Sequence, residues 1–315
     1  MSIKRIIIDA DPAISIPQCD IDDGLALFMA LNSPEVNVEG ITTVFGNSAL
    51  EDVTKVAKDI LKVANRQDIQ VFKGAYNKNW LGVKTEATEF LINHISENPN
   101  EITLVTLGPL TNVGSIFKQK PEIIDDLKEL VIMGGLTFPD KFRFSFIKTE
   151  FNIANDGLAA NIVFSQPIET TLIGLEVTTK VLFKDAHYLA VKNSKTKWTE
   201  YLTTHIKPWL AHSKVLMKGF NPHDPIALAY VLKESLFKSI NLGLKVNYKK
   251  RDFSKIDTKY RKGRGITAMF STKEGKITII PDTEISEKMK IRVCTEIDEK
   301  EFMKLFLERL IKYKK

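Results

Sequence analysis

Five aspartates hold the chemical interest of this chain: Asp9 and Asp11 end an apolar run, Asp22 and Asp23 begin another, and Asp224 stands in Asn221-Pro222-His223-Asp224-Pro225. Carboxylates drawn into one place repel and raise one another's pKa unless a cation holds them. An all-oxygen donor set suits a hard ion such as calcium. A metal-dependent enzyme is the reading these residues favour. An Asp-X-Asp pair alone can equally cap a strand end, so the weight rests on Asp9 and Asp11 meeting Asp22-Asp23 and His223-Asp224.

The elements that must position these residues follow an alternating pattern. Arg5 to Ile8 reads as a strand, Asp22 to Leu31 as a helix, Val36 to Val44 as a strand and Ser48 to Ala64 as a helix. This is the βαβα rhythm of a mostly parallel central sheet flanked by helices, the α/β class. Ser48 and Glu51 match a capping box ahead of Leu50, Val53, Ala57, Ile60, Leu61 and Ala64 at helical spacing. Further strands are expected over Ile102–Leu107, Leu130–Met133 and Thr171–Leu175, each running into turn residues. Ligands of open α/β sheets bind beyond the carboxyl ends of the strands, so Asp9, Asp11, Leu107 and Met133 should open on one crevice. A helical cap region follows from Asp185 to Leu232, including Thr196 to Met217 and, with Asp224 as N-cap and Pro225 as first helical residue, Ile226 to Leu232. Short C-terminal strands from Gly243 to Val293 and an amphipathic helix over Glu299–Tyr313 close the chain. We read residues 1–315 as one domain.

Composition narrows the function class. The 45 Lys and Arg exceed the 39 Asp and Glu by +6, but the basic residues are scattered, so a solvated surface explains them better than a nucleic-acid groove. No apolar stretch reaches membrane-spanning length, and Ile6 to Ile8 is far short of a signal-peptide core. Cys19 and Cys294 are too few and too distant for a disulfide framework. A soluble, cytoplasmic protein is expected.

Seven segments occur in order: Asp9-Ala10-Asp11-Pro12, Asp22-Asp23-Gly24-Leu25-Ala26-Leu27, Val44-Phe45-Gly46-Asn47, Thr103 to Asn112, Met133-Gly134-Gly135, Glu150-Phe151-Asn152 and His223-Asp224-Pro225. Together they resemble the inosine-uridine-preferring nucleoside hydrolase family over nearly the whole chain. The resemblance implies that family's Rossmann-like fold and Ca2+-dependent hydrolysis of ribonucleosides to ribose and free base. It assigns one Ca2+ to Asp11, Asp23, the Leu107 carbonyl and Asp224, with Asp11 also the general base on the attacking water. Asp22, Glu150 and Asn152 match ribose-binding positions, Met133 lines the sugar pocket, Asn47 stands near the water and base, and Asp9 orients the others. His223 matches the general acid for the leaving base. Trp80 and Trp209 match a tryptophan pair that sandwiches the base in purine-preferring relatives, which favours purine over pyrimidine nucleosides. The implied partners are a small nucleoside and further copies of the chain, as a homodimer or homotetramer.

Two departures from the family pattern stand out. Residues 13–21 interrupt the usual run between Pro12 and Asp22, which places an insertion in the strand-to-helix loop and offers Asp20 as a rival to Asp22. No Asn lies between Met133 and Glu150 to meet the ribose 5′-hydroxyl, and the apolar stretch Phe138 to Ile147 is expected to cover that end of the sugar differently. Rival readings are a haloacid dehalogenase-type phosphatase with Asp9 as nucleophile, which lacks the usual small hydroxyl residue after Asp11, and a non-catalytic nucleoside sensor on the same fold.

Overall fold

The computed structural model describes residues 3–138, 150–215, 217–247, 278–281 and 290–311. Its strands are β1 (Lys4–Ala10), β2 (Val36–Thr43), β3 (Val71–Lys73), β4 (Ile102–Thr106), β5 (Glu129–Met133), β6 (Thr170–Ile173), β7 (Phe237–Leu242), β8 (Leu244–Asn247), β9 (Thr278–Pro281) and β10 (Ile291–Ile297). The helices are α1 (Asp22–Leu31), α2 (Leu50–Ala64), α3 (Glu86–Glu97), α4 (Thr111–Gln119), α5 (Ile123–Asp126), α6 (Phe151–Asn155), α7 (Gly157–Phe164), α8 (Leu175–Thr178), α9 (Asp185–Asn193), α10 (Thr199–Ser213), α11 (His223–Leu232) and α12 (Glu299–Ile311).

Eight strands form one sheet in the order β3-β2-β1-β4-β5-β6-β10-β7. All neighbours are parallel except β10 and β7, and β8 pairs with β9 as a separate antiparallel ribbon. β1 is apolar on consecutive residues because helices cover both of its faces. Ile6 and Ile8 belong to the core built with α1, α2, α10, α11 and α12, while Ile7 belongs to the core built with α3, α4 and α7. The chain reverses its direction of winding between β1 and β4, which opens a crevice beyond their carboxyl ends. Asp9 bridges this point, paired with Thr42 of β2 and Thr106 of β4. Among the described residues no helix is long and apolar enough to cross a membrane.

Several expected boundaries shift for local reasons. α2 begins at Leu50 behind Ala49, without a side-chain cap. Ser48 is not the cap, because its carbonyl accepts from the Gly46 amide in a bend and its hydroxyl turns to Asp52 Oδ2 at 3.0 Å. α11 begins at His223 with Pro222 at the cap, since the Asp224 amide donates to Asp22 Oδ2 (3.2 Å) and the Asp224 carboxylate joins the acidic cluster. α10 starts only at Thr199, where the Thr199 hydroxyl accepts from the Thr196 amide in a preceding turn. The strand expected to reach Leu175 stops at Ile173, and Leu175 opens α8 after Gly174. Residues 248–277 and 282–289 of the expected C-terminal strands, and most of the Phe138–Ile147 stretch, lie outside the described residues.

The loop 13–21 packs inward. Ala13, Ile14, Cys19 and Ile21 are buried, and Ile14 lies so close over Gly24 that a Cβ there would meet the Ile14 Cβ at 2.6 Å. The insertion therefore sits on the first turn of α1 and leaves Asp22-Asp23 as the opening of that helix.

Candidate active site

Three elements bring the acidic groups together, with Leu107 just past a fourth: the carboxyl end of β1 supplies Asp9 and, just beyond it, Asp11, the first turn of α1 supplies Asp22 and Asp23, Leu107 directly follows β4, and α11 supplies Asp224. Carboxylate oxygens of Asp22, Asp23 and Asp224 lie within 4.8 Å of one another, and all three residues are buried. The α1 N-terminus favours negative charge at Asp22 and Asp23 through its helix dipole. Asp11 reaches this trio through its own amide, which donates to Asp23 Oδ1 at 3.1 Å.

Asn47 clamps two of these carboxylates. Its amide donates to Asp11 Oδ2 (2.5 Å) and its Nδ2 to Asp23 Oδ2 (2.8 Å). Cys19 of the inserted loop holds Asn47 in turn, its thiol donating to the Asn47 carbonyl at 3.2 Å. Asp9 sits behind the cluster, where Oδ1 accepts from Thr42 Oγ1 (2.5 Å) and Asn112 Nδ2 (2.7 Å). Asn112 also donates to the Thr43 carbonyl at 3.1 Å, so it fixes Asp9 against β2.

The residues fit a cation. Asp11 Oδ1 is buried with no hydrogen-bond partner among the described residues, a costly arrangement for an ionised carboxylate. Gly46 and Gly108 leave just enough room for that carboxylate, since a Cβ would meet Asp11 Oδ2 at 1.8 Å from Gly46 and Oδ1 at 2.6 Å from Gly108. The donors are all oxygen, and the Leu107 carbonyl accepts one bond, from Asn152 Nδ2 at 2.7 Å, keeping a second lone pair.

The electrostatics carry the same message. Burial, followed by the Asp23 charge, pushes the Asp11 carboxyl well above its usual range. Burial and then Asp22 raise Asp23 to about 7, and burial with Asp22, Asp23 and Asp11 raises Asp224. Burial alone raises Asp9 to about 6 against its two hydrogen bonds. A bound divalent ion removes this mutual repulsion.

The opposite wall is built by α6. Glu150 caps that helix, accepting from the amides of Asn152 (2.7 Å) and Ile153 (3.0 Å), and ties in the Gly135 amide at 2.9 Å. Gly135 adopts φ +84 there. Asn152 spends Nδ2 on the Leu107 and Met133 carbonyls, the latter at 3.3 Å, which leaves Oδ1 for a ligand. One crevice is lined by Asp22, Asp23, Asp224, Asn47, Leu107, Met133, Glu150, Asn152, His223 and Trp209. Of the expected site residues, Asp11 lies beneath this surface and Trp80 lies off it. Trp80 is half-buried against Val44, Phe45 and Ala75, with the Tyr76 ring at 4.7 Å. Trp209 is buried, and its Nε1 has no hydrogen-bond partner among the described residues.

Leu175, Ser213, Phe220 and Asn221 also line the crevice and carry no site role in the sequence pattern. Asp20 lines it beside Asp22, so the inserted loop adds an acid without displacing Asp22. His223 Nδ1 lies 2.7 Å from Thr178 Oγ1 of α8, a contact across 45 residues that no spacing rule announces. Burial lowers the His223 pKa, with Asp22 opposing.

A doubly wound sheet gathers buried carboxylates at its switch point and faces them with amide and imidazole groups, an arrangement suited to hydrolytic chemistry. Residues 6–304 match the family described as inosine-uridine preferring nucleoside hydrolase, and the chain belongs to that family. It is 31% identical over 264 residues to a probable uridine nucleosidase 2 of Oryza sativa subsp. japonica, covering 74% of this chain and 75% of that protein. It is likewise 31% identical over 260 residues to the inosine-uridine preferring nucleoside hydrolase of Leishmania major, covering 73% and 79%. The fold is shared with the purine-preferring ribonucleoside hydrolase from Gardnerella vaginalis at a TM-score of 0.78, with 24% identity over 98% of each chain.

Proposed function

We propose that the protein hydrolyses the N-glycosidic bond of ribonucleosides with a calcium ion held by Asp11, Asp23, the Leu107 carbonyl and Asp224. The observation that carries this reading is the buried acidic cluster, with the orphaned Asp11 Oδ1 beside it, at the floor of a crevice whose far wall presents Glu150 and Asn152. When bound, the ion would lower the pKa of the attacking water.

Asp11 takes a proton from that water as its oxygen attacks C1′. The C1′–N bond breaks with its electron pair going to the base, and the sugar passes through a state of oxocarbenium character. Asp22, Glu150 and Asn152 accept from the ribose hydroxyls, and the surrounding carboxylates stabilise the developing positive charge. These acceptors are buried, so a 2′-deoxy sugar leaves one unpaired and is rejected. His223 donates toward the departing base, which leaves poorly as an anion.

Purine nucleosides are the favoured substrates in this reading, because the Trp209 ring lines the crevice and stacking favours the larger base. A pyrimidine preference is the second reading, supported by the uridine nucleosidase name of the rice relative. A reducing-sugar assay on inosine, adenosine, guanosine, uridine, cytidine, their 2′-deoxy forms and nucleotides, with and without chelator, tests both. Release of sugar from ribonucleosides that stops with chelator and returns with calcium is expected. Phosphate release from nucleotides with no sugar release would point to the phosphatase alternative, and inactivity on all substrates to the sensor.

A further inference from the structure

We propose that Thr178 is a positioning residue that fixes the ring orientation and tautomer of His223, keeping the proton of the neutral imidazole on Nε2, from which it donates a hydrogen bond to the departing base. The proposal rests on the reading of His223 as donor to that base.

Thr178 is fully buried at the end of α8, with Oγ1 2.7 Å from His223 Nδ1. A buried hydroxyl has one proton to place, and leaving it unplaced is costly. The usual outlet for a helical threonine is the carbonyl four residues back, as its neighbour Thr179 shows by donating to the Leu175 carbonyl at 2.6 Å. For Thr178 that carbonyl belongs to Gly174, which already accepts the amides of Val177 and Thr178, each at 3.1 Å. Among the described residues, Nδ1 of His223 is the remaining partner, so the hydroxyl donates to it. A neutral imidazole that accepts at Nδ1 carries its proton on Nε2. Thr178 holds the other side of the ring, and His223 lines the crevice, so Nε2 is the nitrogen left for a ligand.

The frame around this bond does not depend on it. Asn221 Nδ2 donates to the carbonyls of Thr179 (3.2 Å) and Val181 (2.5 Å), and Phe183 and Phe220 exchange amide bonds of 2.8 and 3.1 Å. Removing one hydroxyl therefore frees the ring without releasing α8 from α11.

The test compares Thr178→Val, Thr178→Ser and His223→Ala on inosine and on p-nitrophenyl riboside, whose leaving group needs no proton. Thr178→Val should lower kcat on inosine about tenfold, with little change in KM, and leave p-nitrophenyl riboside within about twofold. Thr178→Ser should restore the loss. Nitrogen-15 spectra of the wild-type ring should show the proton on Nε2, and those of Thr178→Val a mixture. Equal loss on both substrates, no rescue by serine, or a wild-type ring protonated on Nδ1 would overturn the proposal. An unselective loss in His223→Ala overturns the donor role of His223 and, with it, the purpose given to Thr178. A selective loss there beside an unaffected Thr178→Val overturns the Thr178 assignment alone.

Discussion

Gly46→Ala is the sharpest perturbation of the acidic site, because it adds one methyl group and removes no ligand. The new Cβ would lie 1.8 Å from Asp11 Oδ2, 2.7 Å from its Cγ and 3.0 Å from Pro109 Cδ. Carbon and oxygen at ordinary contact need roughly 1.5 Å more, so either the carboxylate or the segment Phe45–Asn47 must move by that amount. Both movements break the 2.5 Å bond from the Asn47 amide to Asp11 Oδ2, and the second also pulls Asn47 Nδ2 from Asp23. A misplacement of about 1 Å in a catalytic group costs on the order of a hundredfold in rate, and loss of a group that orients a metal ligand costs about 10- to 100-fold in affinity. We therefore expect kcat/KM for inosine to fall about a hundredfold and calcium binding, measured by calorimetry, to weaken at least tenfold. Gly82→Ala is the control: its φ of +88 strains any side chain, yet Gly82 lies outside the crevice, so stability should drop while kcat/KM holds. A folded Gly46→Ala protein whose kcat/KM and calcium affinity stay within about threefold of wild type would refute the role given to Asp11.

Other outcomes follow from the same geometry. Asp22→Ala should raise KM for ribonucleosides and lower kcat together, and unchanged values of both would remove it from ribose binding. Trp209→Ala should raise KM for inosine more than for uridine, whereas Trp80→Ala should lower the melting temperature and leave KM in place, since Trp80 packs on Val44, Phe45 and Ala75; equal KM effects on both bases would end the stacking idea. For pH, the folded cation-free protein holds Asp23 at about 7, above its unfolded value. A raised carboxyl contributes stability that is full below about pH 4 and lost as pH rises through the folded value. The melting temperature in chelator should thus fall between about pH 4 and 7, and the rise on adding calcium should grow over that interval, because the ion binds the ionised forms. A melting temperature in chelator that does not change with pH would contradict this.

The sheet was readable because its strands are covered on both faces: Ile6-Ile7-Ile8 and Ile102 to Leu107 are apolar runs ending in turn residues, and such runs belong to buried parallel strands. The acidic set was readable because its residues sit at ends of those strands and helices. Helix starts depart from the sequence pattern where the site takes over the capping groups, as with Ser48, displaced by the bend that serves Asn47, and Asp224, whose carboxylate joins the acidic cluster. Thr178 was invisible for another reason. A threonine at a helix end is unremarkable in one dimension, and only the packing of α8 against α11 brings its hydroxyl to His223. Trp80 shows the reverse failure, an aromatic on a suitable loop whose neighbours, Val44 and Phe45, give it packing to do.

The Asp224 amide and the Asp22 carboxylate meet across 202 residues of chain. An ion held by the adjacent Asp23 and by Asp224 would act as a clasp on the intervening polypeptide, and by closing so long a loop it would add to the stability of the folded chain. A protein nicked on a surface turn between these ends should stay whole in calcium and come apart in chelator.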